Sequence, residues 1–250
     1  FYTNANSLIA KMDELRERVQ EYDIIAVTET WAHQGITNGE LSMEGFILFR
    51  VDREDRKGGG VALYISSRYV SGLQENRNLE QFCDVVWCLV RVAEVRLLVG
   101  VCYRSPSSTD ENNRRLIEMI KAAVDTTRYD HILILGDFNY PAIDFEQGMV
   151  ESGLESAASE FYNVTQDLFL IQHVVDDTRH RQGNAPSLID YIFTLEENQV
   201  EELKHEEPLG KSDHVCMSWR MSIQSEVVID KRKKLNYWKG NYVAMNEGLR

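Results

Sequence analysis

The sequence predicts an α/β (α+β) fold, a two-layer β-sandwich with helices on its outer faces. Short apolar runs typical of strands are the commonest pattern, and several lie close enough together to pair as hairpins. Helical patterns are few and widely spaced. A regular alternation of strand and helix would instead predict a parallel sheet of the Rossmann type.

Strand-like runs recur along the whole chain. The run at 24–27 is short and wholly apolar, as in a buried strand, and RKGGGVALYI (56–65) is a glycine turn that leads into a strand. Runs 85–92 and 95–101 are joined tightly enough to form a hairpin. The remaining predicted strands are 1–3, 46–50, 132–135, 170–174, 187–193, 200–206 and 215–223.

Apolar residues at helical spacing predict helices between some of these strands. Asn6 or Ser7 is available as the N-cap of the first helix, and Asp110 is in position to cap a second. A third helix is predicted around 159–167. The apolar faces of the first two helices are Leu8, Met12, Leu15 and Val19, and Leu116, Ile120 and Val124.

The hydropathy and charge patterns predict one large domain over residues 1–224, followed by a basic linker at 225–250 that contains KRKK. The chain starts without Met inside a strand-like stretch, which we interpret as a truncated first strand of a longer polypeptide. No apolar run approaches the roughly 18 residues that a membrane-spanning helix needs. We therefore expect no membrane partner.

The net charge of −13 argues against tight, non-specific DNA binding. Residues 225–250 hold six Lys/Arg against three Asp/Glu, a balance of +3 that leaves −16 for residues 1–224. A metal site needs carboxylates, and its cation then supplies positive charge, so an acidic nuclease remains possible. None of the four cysteines forms a CxxC pair, which favours a reducing, intracellular compartment.

Four polar clusters follow strand-like runs, where a rigid element can present a side chain to solvent. They are Asn4 with Asn6, Glu29 in VTET, Asp137 with Asn139 in LGDFN, and Asp213 with His214 in KSDH. Two further candidates are Tyr103 in VCYRSP, which follows the run 95–101, and Asp190 in SLIDYIF, which lies within the run 187–193.

Each cluster has a structural explanation when it is taken alone, because Asp and Asn commonly stabilise tight turns. Together they supply the chemistry of metal-assisted phosphodiester cleavage. That reaction uses oxygen ligands for a hard cation, an acid–amide pair to align water, and donors for the developing negative charge.

These clusters, in this order, resemble the endonuclease/exonuclease/phosphatase superfamily, which includes DNase I and the apurinic endonucleases. The resemblance covers about residues 1–223 and implies a DNase I-like fold. It implies that Glu29 binds the metal, that Asp137 activates water, and that Asp190 and Asp213 are supporting acids.

The same resemblance implies that Asn4 and Asn139 hold water and phosphate and that Tyr103 contacts phosphate. It implies that His214 stabilises the transition state or acts as a base. Asn6 stands where apurinic endonucleases carry Asp, which implies a weaker contribution to metal binding, and it is also a candidate helix cap.

Longer strings narrow the resemblance to the endonuclease segment of LINE-type (non-LTR) retrotransposons. The strings are TNANSL, VTETW, VDREDRKGGGVALYIS, YRSPSS and ILILGDFNYPAIDF. This implies a Mg²⁺-dependent enzyme, with Mn²⁺ as a substitute, that nicks double-stranded DNA in the nucleus. The nick would leave a 3′-hydroxyl to prime a covalently linked reverse transcriptase domain.

The loop DDTRHRQGNAPS concentrates Arg179, His180 and Arg181 in an otherwise acidic domain. We interpret it as lying near DNA, while a solvated hairpin tip is an equal alternative. Repair of abasic sites, or another superfamily phosphodiesterase activity, is the alternative enzymatic function. An inactive interaction module of the same fold is the alternative without catalysis.

Overall fold

The computed structural model describes residues 1–53, 57–74, 79, 82–125, 128–153 and 155–223. The basic linker expected at 225–250 lies outside the described residues. Strands, in chain order, are β1 Tyr2–Asn4, β2 Ile24–Thr28, β3 Phe46–Val51, β4 Val61–Ser66, β5 Val70–Leu73, β6 Val85–Val92, β7 Val95–Tyr103, β8 His131–Asp137, β9 Ile143–Asp144, β10 Met149–Val150, β11 Ile171–Gln172, β12 Asp190–Thr194, β13 Val200–Glu206 and β14 Cys216–Met221. Helices are α1 Met12–Arg18, α2 Asn38–Leu41, α3 Asp110–Val124 and α4 Ala157–Asp167.

Two six-stranded sheets form the two layers of the sandwich. The first sheet has the order β13-β14-β1-β2-β4-β3, and the second has the order β11-β12-β8-β7-β6-β5. Only the β1–β2 and β7–β8 pairs run parallel among the strand pairs of the described residues. The predicted two-layer α/β sandwich is confirmed.

Alternating side chains explain why the two sheets pack face to face. Successive residues of a strand point to opposite faces. On β8, Leu133 and Leu135 enter the core between the sheets, whereas Ile132 and Ile134 pack beneath the helices of the second sheet. Apolar side chains on both faces make β8 a central strand that is buried from both sides.

The helices cover the outer face of each sheet. Leu116 and Ile120 of α3 and Phe161 of α4 pack on the second sheet. Leu15 of α1 packs on the outer face of the first sheet. The result is four layers, with helices outside and sheets inside.

Two helix starts differ from the sequence prediction. Asn6 and Ser7 do not cap α1, because both adopt positive φ angles of 42° and 77° in the preceding turn. α3 is capped by Thr109, whose hydroxyl accepts from the Asn112 N–H, and Asp110 is its first residue. Thr109, next to the expected residue, therefore caps α3, whereas α1 follows Lys11 without a side-chain cap.

The strand predictions at 200–206 and 85–92 agree with β13 and β6 to the residue. The strand predicted at 187–193 begins three residues later in the structure, because β12 starts at Asp190 and Ser187 forms only an isolated bridge with Arg179. No helix of the described ranges is long and apolar enough to cross a bilayer.

Candidate active site

Sheet register gathers the polar clusters at one end of the sandwich. β1 and β2 run parallel, so Asn4 at the end of β1 lies level with the residue before Glu29. β7 and β8 are also parallel and pair Tyr103 with Asp137 at their ends. β12 runs antiparallel to β8, so its first residue, Asp190, also pairs with Asp137. Five strands from the two sheets therefore present their functional groups to the same place.

These side chains surround a cavity of about 460 Å³. Ten of the twelve residues singled out from the sequence line it, and the exceptions are the buried Asp190 and the exposed His180. The full lining is Asn4, Asn6, Glu29, Tyr103, Pro106, Asp137, Asn139, Arg179, Arg181, Lys211, Asp213 and His214.

Asp190, His214 and Asp137 form a buried polar row at the floor of the cavity. The Nδ1 atom of His214 lies 2.7 Å from Oδ2 of Asp190. On the other side of the ring, Nε2 lies 4.0 Å from Oδ2 of Asp137. The imidazole is therefore oriented by one carboxylate and faces the other across a short gap.

Two hydroxyl groups fix the Asp190 carboxylate. Tyr2 donates to its Oδ1 atom, and Thr178 donates to Oδ2 at 2.6 Å. The Thr178 hydroxyl also accepts the Asp190 backbone N–H at 3.1 Å. Because both carboxylate oxygens are occupied, Asp190 holds its position when it orients His214.

The charge state of His214 follows from this arrangement. Burial by itself would lower the pKa of His214, but the charge of Asp190, its hydrogen bond and the charge of Asp137 outweigh that effect and raise the pKa to about 9. The imidazole is therefore a cation at neutral pH. Burial and the charge of Asp190 raise the pKa of Asp137 well above its ordinary value, against the opposing effects of His214 and Asn4.

Two asparagines orient the Asp137 carboxylate. Asn4 donates from Nδ2 to Oδ2 at 2.9 Å, and the Asn139 backbone N–H donates to Oδ1 at 3.1 Å. Asn139 has φ 51°, and its own Nδ2 donates to the Arg104 carbonyl at 2.8 Å. A left-handed backbone at a non-glycine residue is uncommon, and it occurs here where the turn must return toward the cavity.

Glu29 is held by the triple-glycine turn. Its Oε2 atom accepts from the Gly59 backbone N–H at 2.9 Å and from the indole N–H of Trp31. Burial raises the pKa of the Tyr103 hydroxyl, and the nearby charge of the Glu29 carboxylate raises it further. The glycines that the sequence indicated only as a turn therefore position a site carboxylate.

Asp213 has a different partner from the adjacent His214. Its Oδ2 atom accepts from Nε of Arg179 at 2.9 Å. The sequence left open whether Asp190 or Asp213 would fix the His214 ring, and the structure shows Asp190 in that position. Asp213 and Arg179 instead form an ion pair in the cavity lining.

Several residues of the site were not found from the sequence. Tyr2 and Thr178 hold Asp190, and Ser212 links two cluster residues by donating to the Asn4 carbonyl and accepting the His214 N–H. Buried Arg104 donates to the carbonyl of Asn139 at 3.0 Å. Arg104, Thr178 and Ser212 lie inside the strings VCYRSP, DDTRHRQGNAPS and KSDH, but their contacts depend on the packing of distant segments, which no local pattern indicates.

The donor set fits a hard divalent cation, because it consists mainly of carboxylate and amide oxygens. Ligand atoms of Asp137, Asp190 and His214 lie within 4.8 Å of one another. The hydrogen bonds of Asp190 already occupy both of its oxygens, so this trio by itself is a poor cage. Glu29 and Asn6 line the same cavity and would complete the oxygen ligands together with Asp137.

The fold is similar to the folds of several solved nuclease and phosphatase structures. The endonuclease domain of TRAS1, a telomere-specific non-LTR retrotransposon, superposes with a TM-score of 0.67 at 15% identity, over 90% of this chain and 98% of that one. An AP endonuclease from Leishmania major gives a TM-score of 0.68 at 13% identity, over 89% and 87%. The 3′ phosphatase NExo from Neisseria, bound to a product DNA hairpin, gives 0.64 at 17% identity, over 89% and 98%.

The chain therefore has the fold that these nucleases and phosphatases share. Residues 97–218, just under half of the chain, match the model of the family described as endonuclease-reverse transcriptase. No curated protein sequence matches the chain.

Proposed function

We propose that this protein is a metal-dependent DNA endonuclease that nicks one strand of double-stranded DNA. The observation that carries the proposal is the row in which Asp190 fixes a cationic His214, which faces Asp137 across 4.0 Å at the floor of an open cavity. A fixed cation and a carboxylate on opposite sides of one space suit a scissile phosphate and its attacking water.

Asp137 and His214 are placed for different steps of phosphodiester hydrolysis. Asp137, held by Asn4 and by the Asn139 backbone, is placed to accept a proton from water. His214 directs Nε2 at the cavity and can donate to the phosphate oxygen on which negative charge builds. When bound, Mg²⁺ or Mn²⁺ would favour the ionised Asp137 carboxylate and neutralise charge on the phosphate.

The family description and the likeness to the TRAS1 endonuclease domain support a role in retrotransposition. In this role the nick carries a 3′-hydroxyl that primes a covalently linked reverse transcriptase domain. The site of action is then the nucleus, where the target DNA lies.

A supercoiled-plasmid assay tests the activity. We expect conversion to the open-circular form with Mg²⁺ and none with EDTA. Glu29→Gln should abolish nicking or weaken its dependence on Mg²⁺. The exposed Glu94, at the β6–β7 turn, gives a matched control, so Glu94→Gln should nick like the wild type. Full activity in chelator would refute the metal-dependent mechanism.

The chemistry of the ends provides a second test of the same proposal. In-line attack with departure of the 3′ oxygen leaves 3′-hydroxyl and 5′-phosphate ends. End labelling should therefore find a nick that a polymerase can extend directly. A 3′-phosphate would exclude both this mechanism and the priming role.

An abasic-site repair activity is the second candidate, supported by the similar TM-score of the Leishmania AP endonuclease. One duplex with a single abasic site and one intact duplex of the same sequence separate the two functions. Cleavage confined to the abasic position would favour repair, and nicking of intact DNA favours the retrotransposon function.

A further inference from the structure

A buried ion pair lies behind the cavity wall that carries Glu29 and Tyr103. Arg53 and Asp84 form this pair, with side-chain exposures of 9% and 2%. The Nε atom of Arg53 lies 3.3 Å from Oδ1 of Asp84, and Nη2 contacts Oδ2. Neither residue lines the cavity.

Asp84 binds both backbone segments that hold this wall. Its Oδ1 atom accepts the Gly60 N–H at 3.0 Å, and its carbonyl accepts the Tyr103 N–H at 2.9 Å. The neighbouring Gly59 N–H donates to Glu29 at 2.9 Å. One aspartate therefore connects the glycine turn to the end of β7.

Arg53 closes the arrangement from the other side. Its guanidinium carbon lies 5.4 Å from the centroid of the Tyr103 ring. It also packs directly on Gly59, where an added Cβ would come within 2.4 Å of that carbon. Glu29 and Tyr103 both line the cavity, so Arg53, Asp84 and the glycine turn connect these two residues from behind.

We propose that Arg53 and Asp84 are positioning residues, which set the Glu29 carboxylate and the Tyr103 hydroxyl for the metal and phosphate without touching either. The proposal rests on the proposed nuclease function. Replacing both partners of a buried ion pair by apolar residues commonly costs little stability, because burial of the two charges offsets their attraction. Stability alone is therefore a weak explanation for the Arg53–Asp84 pair. Residues that orient metal ligands commonly contribute about 10–100-fold in affinity or activity.

Mn²⁺ binding to the full chain, measured by titration calorimetry, is the primary test. Asp84→Asn keeps the size of the side chain and an acceptor oxygen but removes the charge that holds Arg53. We expect it to weaken Mn²⁺ binding by about 10–100-fold in protein that thermal unfolding shows to be folded. Asp52→Asn is the matched control, because Asp52 forms an ion pair with Arg50 at 3.1 Å and is 13% exposed.

A double-mutant cycle with Glu29→Gln separates positioning from general stability. If Asp84 acts through Glu29, adding Asp84→Asn to Glu29→Gln should change Mn²⁺ affinity by less than about threefold. Additive losses, or wild-type Mn²⁺ affinity in a destabilised Asp84→Asn protein, would overturn the positioning role.

The nicking assay distinguishes the failure of this inference from the failure of the proposed function. Wild-type protein that nicks and binds Mn²⁺, with an Asp84→Asn variant that does both equally well, overturns the positioning role alone. Wild-type protein that neither binds Mn²⁺ nor nicks overturns the proposed function and the positioning role together.

Discussion

At the scale of single residues, the burial and orientation of His214 determine what its imidazole can do in the cavity. The residue is only 4% exposed, one ring nitrogen is fixed by Asp190, and the other faces the cavity. A cation held in this way requires no reorientation when charge develops on a phosphate. The adjacent Asp213 contributes differently, through Arg179, although the two residues are neighbours in the sequence.

Replacement of the imidazole tests this role. We expect His214→Ala to lower the rate of nicking by about 10²–10³-fold, with DNA affinity little changed, because a preorganised donor is lost. His205→Ala, on β13 and outside the cavity, is the control and should retain wild-type turnover. A His214→Ala rate within a few-fold of the wild type would support the inactive-module alternative.

The titration of His214 provides a residue-scale prediction without substrate. In metal-free protein its imidazole should titrate near pH 9, because Asp190 and Asp137 outweigh the effect of burial. Asp190→Asn removes the largest favourable contribution, so the pKa should fall by at least one unit. NMR of the ring protons measures both values, and equal pKa values in the two proteins would exclude Asp190 as the cause.

The same pKa shifts have a definite sign for stability. His214 and Asp137 both have folded pKa values above their unfolded values, so the folded state binds more protons. Their contribution is present at low pH and is lost as pH rises. The free energy of unfolding of the metal-free protein should therefore fall between pH 7 and pH 9. Urea unfolding in EDTA measures it, and a rise over this interval would contradict the coupling.

At the scale of elements, the end of β8 explains why the GDFN motif begins with glycine. Gly136 has φ +145°, and an added Cβ would lie 1.8 Å from the Cys102 carbonyl oxygen of the neighbouring parallel strand. The two strands approach closely at the position where Asp137 must enter the cavity. The backbone geometry of the motif is therefore part of the site.

A substitution at this position tests the close approach. Gly136→Ala should destabilise the fold by at least about 1–3 kcal/mol, because the strand ends must separate and the backbone is strained. Gly72→Ala on β5 is the control, since its Cβ would meet nothing within 4 Å. Urea unfolding gives both values, and equal stabilities would show that the strands adapt without cost.

The hairpin that follows Thr178 is the second element with a testable role. Arg179 and Ser187 exchange backbone hydrogen bonds of 3.0 and 3.1 Å, and residues 180–186 between them are exposed. Because Arg179 is tied to Asp213, the proposed function leaves His180 and Arg181 as the side chains at this tip that would contact DNA. Loops on a rigid scaffold commonly carry recognition residues.

We expect the double variant His180→Ala with Arg181→Ala to flatten the cleavage pattern on a long duplex while the rate of cutting a short duplex stays near wild type. A cation binds more strongly where the minor groove is narrow, so loss of the cation should reduce the preference for such cleavage sites. Arg91→Ala, on β6, serves as the control. An unchanged pattern would favour the solvated-tip interpretation.

At the scale of the whole molecule, the sequence predicted the layers and the strand ends because apolar runs and polar clusters are local signals. Glu29, Asp137 and His214 each follow or precede a recognisable run. The supporting hydrogen bonds could not be predicted in this way. Tyr2 meets Asp190 across 188 residues of sequence, a contact set by the register and packing of two sheets. The role of Arg53 depends equally on distant contacts.

The distribution of charge over the molecule gives the last prediction. The chain carries −13, yet three cations, Arg179, Arg181 and Lys211, line the cavity around its acidic floor. The logarithm of DNA affinity falls linearly with the logarithm of salt concentration, and each phosphate that a cation neutralises makes this slope steeper by about 0.9. Arg181→Ala and Lys211→Ala should therefore each reduce that slope by about one. Arg179→Ala should reduce it by less, because Asp213 already neutralises Arg179 and would be left unpaired.

Fluorescence anisotropy of a labelled duplex over a salt series, in Ca²⁺ to prevent cutting, measures the slopes. Arg91→Ala should match the wild type, and equal slopes for all four variants would mean that DNA does not contact the cations of this cavity.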